Sequence, residues 1–255
     1  MQPYIGITDF TSFSQVERMQ DVFARHRKTK SERMLHVGVM MSYKTLHGIP
    51  TKWSSVFPAK ETIRGIFASD EAYNCLHYAD YDRNPDLWRD LVEAISYGGI
   101  LIRALQLDMV WPEPADIANA VHTSRKYLEV ILQINSVALD DVDNDPGRLV
   151  ERLEEYQHVI HRVLLDKSMG RGLGLDAAAL LPFARAIQNA YPELGLGIAG
   201  GLGPDSLNLI APLHAEFPNV SIDAQGRLRH SGSALDPIDW NLAERYLINA
   251  LHLVH

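Results

Sequence analysis

The feature of this sequence that most restricts its fold is a regular alternation of short apolar runs with longer amphipathic runs, repeated from one end to the other. Apolar runs bounded by turn residues are typical of buried strands, and apolar residues at three- and four-residue steps are typical of helices. The predicted strands cover residues 4–8, 36–41, 73–78, 100–107, 127–134, 161–166, 194–199 and 220–223. The predicted helices cover residues 14–25, 58–67, 86–96, 114–121, 146–157, 176–191, 204–217 and 237–253.

Eight strand-then-helix units in succession imply parallel strands joined by helical crossovers. In a chain of 255 residues, they fit a closed barrel better than an open doubly wound sheet. The predicted fold class is therefore α/β, a single (β/α)8 TIM barrel. No low-complexity linker interrupts the pattern, so one domain over residues 1–255 is predicted.

Charge and composition limit the classes of partner and ligand that this chain can bind. The formal net charge is −8, which argues against broad binding to nucleic acid or to an anionic membrane, because both need a positive field. Small anionic ligands stay possible. The single cysteine, Cys75, allows neither an internal disulfide nor a cysteine zinc cluster. Residues 1–10 lack a signal-peptide pattern, and no apolar run approaches the roughly 20 residues that span a bilayer. A cytoplasmic protein without cofactor is expected, and a homodimer is left open.

Polar residues at the predicted strand ends are the first candidates for a site, because barrel enzymes build their active sites there. Candidate substrate contacts are Lys44, Gln106, Asp108 and Arg171. A divalent metal held by His77, Asp80, Asp82 and Asp108 is a weaker alternative, since such residues more often form structural hydrogen bonds, and no metal is predicted. The segment 44–55, after the second strand, is either a lid over the site or an ordinary surface loop.

Glycines follow the predicted strands seven and eight, where barrels most often bind phosphate. Glycine lets backbone N–H groups approach an anion closely, and a helix start there would favour negative charge. Tight turns alone would also need glycine, but its presence at both strand ends favours phosphate. The candidate phosphate-binding residues are Gly200, Gly201, Gly203, Gln225, Gly226 and Arg227.

Several motifs resemble the phosphoribosylanthranilate isomerase family. The chain reads LLD at 164–166 before a glycine-rich stretch, AGGL at 199–202 before a proline, and IDAQG at 222–226. The opening IGIT at 5–8 and LQLD at 105–108 resemble two further strands of that family. The match covers about the last third of the chain and is faint elsewhere.

The resemblance implies an Amadori-type isomerisation of a phosphoribosyl amine, in which one group protonates the ring oxygen and another removes a proton from carbon two. It places Asp166 as the general acid and Asp223 as the group that orients the sugar. The family's base is a cysteine, and Ile5 occupies its position here. Asp9 is the candidate substitute from the same strand end.

The sequence thus predicts an isomerase-like barrel enzyme that binds a small phosphorylated sugar or a nucleotide-like ligand, with Asp166, Asp9 and Asp223 as candidate catalytic residues. Authentic activity of that family is the least favoured reading, because Ile5 cannot transfer a proton. The alternative is a non-catalytic protein that kept the phosphate site and lost the chemistry.

Overall fold

Eight parallel strands form a closed barrel in the computed structural model, which describes residues 1–29, 31–166 and 176–254. The strands pair in chain order, and β1 closes the barrel against β8. They are β1 (Tyr4–Thr8), β2 (Met34–Ser42), β3 (Tyr73–Ala79), β4 (Ala104–Asp108), β5 (Glu129–Asn135), β6 (Arg162–Asp166), β7 (Gly195–Ile198) and β8 (Ser221–Ala224). The predicted (β/α)8 barrel is confirmed.

Helices follow the strands and cover the barrel. They are α1 (Phe13–His26), α2 (Tyr43–Leu46), α3 (Ile63–Ile66), α4 (Leu87–Tyr97), α5 (Pro114–Ser124), α6 (Ser136–Asp140), α7 (Pro146–Leu153), α8 (Ala177–Ala190), α9 (Ala211–Glu216) and α10 (Trp240–Leu253). Short 3-10 helices lie at Lys52–Ser55, Lys60–Thr62, Glu154–Tyr156, Leu207–Ile210 and Gly226–Leu228. Among the described residues, no helix has the length and apolarity needed to cross a membrane.

Two predicted elements differ from the structure for a local physical reason. Strand β4 begins at Ala104 rather than at residue 100, because the turn at Gly98 and Gly99 ends α4 and leaves Ile100 exposed at 94%. The predicted helix 204–217 is reduced to a 3-10 turn and the six residues of α9, which starts only just before Pro212. Apolar content alone did not reveal either boundary.

Alternation along the strands sorts their side chains into two cores. One set points outward and packs under the helices, as Ile7, Val37 and Ile134 do. The other fills the barrel interior, because residues two apart in a strand share a face. The interior cluster consists of Tyr4, Tyr73, Cys75, Ala104, Ile131, Leu164 and Ala199.

A buried ion pair closes the amino-terminal end of this interior. Arg162 Nε lies 2.7 Å from Glu129 Oε2, and the Tyr73 hydroxyl donates to the same carboxylate at 2.5 Å. The Arg162 guanidinium also lies over the rings of Tyr4 and Tyr73, at 5.5 and 5.3 Å from their centroids. This plug leaves the opposite end of the barrel as the open one.

We expect Glu129→Gln to destabilise the fold by about 3–5 kcal/mol, because it leaves the buried Arg162 charge without its partner. Urea unfolding followed by circular dichroism measures the change. The matched control is Glu216→Gln, which breaks the equally short but exposed Arg185–Glu216 pair and should change stability little. Equal effects from the two variants would show that the plug does not stabilise the barrel.

Candidate active site

A cavity of about 860 Å³ opens at the carboxyl ends of the strands. Each strand, or the residue directly after it, contributes to its wall. The inward-facing lining side chains at the strand ends are Thr8, Met40, Ser42, His77, Gln106, Asp108, Gln133, Asp166, Ala199 and Asp223. Because the barrel interior below is filled, polar side chains from seven of the eight strands meet in one place.

Asp223 is an acid of this cavity whose pKa is strongly perturbed. Its side chain is buried, and the Thr8 hydroxyl donates to both carboxylate oxygens, at 3.2 and 3.0 Å. Burial raises the pKa of Asp223 to about 7, against the smaller lowering effects of His77 and Thr8. Gly6 is needed beside it, since a Cβ atom there would lie 2.6 Å from Asp223 Oδ1. Asp223 can therefore take up or release a proton near neutral pH.

His77 supplies a second titrating group in the same cavity. Its Nε2 atom lies 3.6 Å from Asp108 Oδ2, and the Tyr81 hydroxyl donates to the other oxygen of Asp108. Burial opposes the charged imidazolium, but Asp108 outweighs it, with Asp223 adding to the effect, and the pKa of His77 is raised. The sequence suggested His77 only as a metal ligand, so its acid–base character is a finding of the structure.

Two buried amides connect His77 to Asp166. Gln106 Nε2 lies 3.3 Å from His77 Nδ1 and 2.9 Å from Gln133 Oε1. Gln133 Nε2 in turn donates to Asp166 Oδ2 at 3.3 Å. Gln133 is not among the residues predicted from sequence, although a glutamine inside the apolar run VILQI indicates a polar group that faces the barrel interior. Asp166 and Gln106, both predicted, lie in the cavity.

The glycine turns after β7 and β8 lie side by side at the rim. Gly200 and Gly201 have φ values of 98° and 69°, which only glycine adopts without strain. A Cβ atom at Gly203 would lie 2.6 Å from Cβ of Arg227, so the two turns touch there. Within the described ranges, the N–H groups of Gly200, Gly201 and Gly226 donate to no protein acceptor.

The remaining predicted phosphate ligands separate into two groups. Gln225, Gly226 and the exposed Arg227 line the cavity together with Gly200 and Gly201. Gly203 does not line it and instead allows the two turns to approach. The five lining residues form what we call the rim cup.

The structure does not bring Asp9 into the main cavity. Its carboxylate forms a buried ion pair with Arg229 and accepts a hydrogen bond from Gln225 Nε2 at 3.0 Å. Arg229 also donates to the carbonyl oxygens of Gln225 and Asp236, at 2.7 and 2.6 Å. Asp9 thus lies where it holds the turn that carries part of the rim cup, rather than where it would meet a substrate in the cavity.

The other predicted contacts line the cavity or lie beyond the described residues. Lys44 lines the cavity, with its Nζ atom 3.0 Å from Asp82 Oδ2. Asp80 accepts hydrogen bonds from the backbone N–H groups of Asp82 and Asn84, at 3.0 and 3.1 Å, and so stabilises its own turn. Arg171 falls outside the described residues. In the described part of the chain, no three histidine, cysteine or acidic side chains are grouped as a metal site would require.

The segment 44–55 and the residues after it form one side of the cavity mouth. The rings of Trp53 and Phe57 stack with their centroids 5.4 Å apart, and both line the cavity. Ser233, Ala234 and Leu235, from the long connection after β8, line it as well. The mouth therefore has an aromatic wall in addition to the rim cup.

Comparisons with known proteins name no family for this chain. No family model matches the chain, and no curated protein matches it. Among solved structures, it is similar to an orotidine 5'-phosphate decarboxylase from Lactobacillus acidophilus, with 10% identity and a TM-score of 0.49, over 98% of this chain and 100% of that one. It is also similar to a phosphonopyruvate hydrolase, with 12% identity and a TM-score of 0.49, over 86% of this chain and 81% of the other.

The assignment to the phosphoribosylanthranilate isomerase family is therefore wrong, because no family model and no curated protein matches the chain. The motifs that suggested it have local causes. Gly200 and Gly201 meet the need for positive φ, and Gly6 makes room for Asp223. Such features can arise wherever a barrel builds a tight turn or buries an acid at a strand end.

We expect Asp223→Asn to become more stabilising as the pH rises. The pKa of Asp223 is about 7 in the folded chain and about 3.9 when unfolded. The native state therefore holds this proton more tightly, and the associated stability is complete below about pH 4 and lost as the pH rises through 7. The free energy of unfolding of the variant relative to the unsubstituted chain should rise by up to about 4 kcal/mol between pH 4 and pH 8. Denaturant titrations at several pH values measure this difference, and a constant difference would contradict the raised pKa.

Proposed function

We propose that this protein is an enzyme that acts on a small phosphorylated compound, a sugar phosphate or a nucleotide-like molecule, by proton transfer. The observation that carries the proposal is the presence, in one cavity, of a rim cup and of two acid–base groups. The backbone donors of the rim cup have no acceptor among the described residues, and the pKa is about 7 for Asp223 and raised for His77. An isomerisation that moves a proton between neighbouring atoms is the reaction class this arrangement favours.

Phosphate binding is supported by the rim cup. The N–H groups of Gly200, Gly201 and Gly226 are unpaired among the described residues, and Arg227 adds a cation at the same wall. Loops after the seventh and eighth strands are the usual phosphate site of this fold. A chain with a net charge of −8 repels anions at long range, so a local group of donors of this kind is what a phosphate would need.

Proton transfer is supported by the groups on the cavity floor. Asp166 and Asp223 lie on β6 and β8, and their mutual repulsion helps to raise the pKa of Asp223. We assign Asp166 as the general acid, and Asp223 or His77 as the base that completes the transfer. Cys75 has no part in this scheme, since it is buried in the barrel interior and burial raises the pKa of its thiol.

The size and the wall of the cavity limit the ligand. A volume of about 860 Å³ lies within the range of roughly 300–1,000 Å³ that is common for small-molecule sites. Trp53 and Phe57 offer a flat apolar surface at its mouth. A phosphorylated sugar that carries a planar group fits this combination.

We expect ribose 5-phosphate to bind and ribose to bind far more weakly, because only the former reaches the rim cup. Isothermal titration calorimetry measures both affinities. Arg227→Met should weaken binding of the phosphorylated sugar by about 10–100-fold, the contribution of a hydrogen bond to a charged group. Arg245→Met, whose guanidinium pairs with Asp205 on the surface, is the control and should leave binding unchanged. Equal affinities for the two sugars would remove the phosphate site from the proposal.

Asp166→Asn should abolish turnover and change ligand affinity little, since general acid catalysis contributes about 10²- to 10⁴-fold. Conversion is followed by ¹H NMR with a panel of aldose and ketose phosphates. Turnover retained by the variant would show that Asp166 is not the acid. Tight binding without any turnover by the unsubstituted protein would instead support the non-catalytic binding protein.

A further inference from the structure

Four buried side chains on consecutive strands form one hydrogen-bonded chain across the cavity floor. They are His77 on β3, Gln106 on β4, Gln133 on β5 and Asp166 on β6. The three links measure 3.3 Å from His77 Nδ1 to Gln106 Nε2, 2.9 Å from Gln106 Nε2 to Gln133 Oε1, and 3.3 Å from Gln133 Nε2 to Asp166 Oδ2. None of these side chains is more than 9% exposed, so the links are shielded from bulk water.

The ionised state of Asp166 fixes the direction of every hydrogen bond in this chain. A carboxylate only accepts, so Gln133 must turn its Nε2 toward Asp166 and its Oε1 toward Gln106. Gln106 must then donate from Nε2, and the second hydrogen of this amide points to His77. His77 Nδ1 is therefore an acceptor, and the imidazole proton lies on Nε2, which faces Asp108.

A proton on His77 Nδ1 reverses the direction of the hydrogen bonds between these four side chains. Gln106 would then have to present Oε1 to both neighbours, and Gln133 would have to turn its Nε2 toward Gln106. Gln133 Oε1 would face Asp166, and that contact is favourable only if Asp166 carries a proton that it can donate. The two amides thus disfavour a proton on His77 Nδ1 beside an ionised Asp166, so a proton at either end favours a proton at the other.

We propose that Gln106 and Gln133 are positioning residues that couple the proton on His77 Nδ1 to the proton on Asp166, so that a proton at one end favours a proton at the other. This inference rests on the proposed function only in assigning both ends of the chain to proton transfer. It adds a specific property: Asp166 and His77 favour matching protonation states before the substrate reacts.

Coulomb interactions around His77 and Asp166 act against this coupling. His77 faces Asp108, Asp223, Asp9 and the neutral His36. Asp166 faces Asp223 and Tyr81 among the described residues. Through space, a positive His77 favours a negative Asp166, so Coulomb interactions alone would make the second proton bind less readily after the first. The hydrogen-bonded amides predict that the second proton binds more readily after the first, so a titration distinguishes coupling through the amides from Coulomb interaction alone.

The test is a pH titration of the full chain labelled with ¹⁵N-histidine, with His77 assigned by comparison with His77→Asn. The ¹⁵N shifts report which ring nitrogen carries the proton. We expect the Nε2-protonated neutral form at high pH and a transition to the imidazolium with a Hill coefficient above one. Gln133→Met, which keeps the side-chain length and removes the link, should lower the coefficient to one or less.

Gln188→Met is the control, since Gln188 donates to the Leu194 carbonyl oxygen at 2.8 Å on the outside of the barrel. It should leave the coefficient above one, as in the unsubstituted protein. A coefficient of one in the unsubstituted protein, or a coefficient that Gln133→Met leaves unchanged, would overturn the coupling. If Gln133→Met does not fold, the tautomer of neutral His77 in the unsubstituted protein is the remaining test. A neutral His77 that carries its proton on Nδ1 would overturn the coupling. None of these results depends on substrate, so they are separate from a failure of the proposed function.

Discussion

The pairing of β1 with β8 is the constraint on which the rest of the structure depends. Ile5, Gly6 and Ile7 align with Ile222, Asp223 and Ala224, and this register closes the sheet. It places Thr8 over the Asp223 carboxylate and brings Asp9 to the turn that carries Gln225 and Gly226. An open sheet with the same elements would leave these groups at two distant edges. Closure therefore creates both the buried acid and the support of the rim cup.

The same closure concentrates polar groups in a place where burial is costly. Asp223 is held where the ionised form is unfavourable, and the two floor amides can satisfy only part of their hydrogen-bonding capacity, since Gln106 Oε1 has no partner among the described residues. Burial of an unpaired polar atom costs about 1–3 kcal/mol. The Arg162–Glu129 plug and the apolar layers beneath the helices offset such costs. Polar groups kept at a stability cost are typical of a site that serves chemistry.

Much of this arrangement follows from sequence, and what does not has identifiable causes. Alternating patterns predict the eight strands, and the glycines at 200, 201 and 226 predict turns open to an anion, because both depend on local backbone chemistry. The role of Asp9 was not predictable, since its partner Arg229 lies 220 residues away and only barrel closure brings them together. His77 and Gln133 escaped selection as acid–base groups because single polar residues within strands show their importance only once the neighbouring strands are in register. The resemblance of motifs to a known family led to a wrong assignment, because many barrels need glycine in tight turns and bury acids at strand ends.

The central proposal is that one cavity contains both a phosphate site at its rim and proton-transferring groups on its floor. The most direct measurement is the change of backbone amide chemical shifts of the ¹⁵N-labelled protein when ribose 5-phosphate, inorganic phosphate or ribose is added. The account predicts that both phosphate-containing ligands shift the amide signals of Gly200, Gly201 and Gly226, and that only ribose 5-phosphate also shifts His77 and Gln133 on the floor. Saturable shifts elsewhere on the protein, with these glycines unchanged, would contradict it.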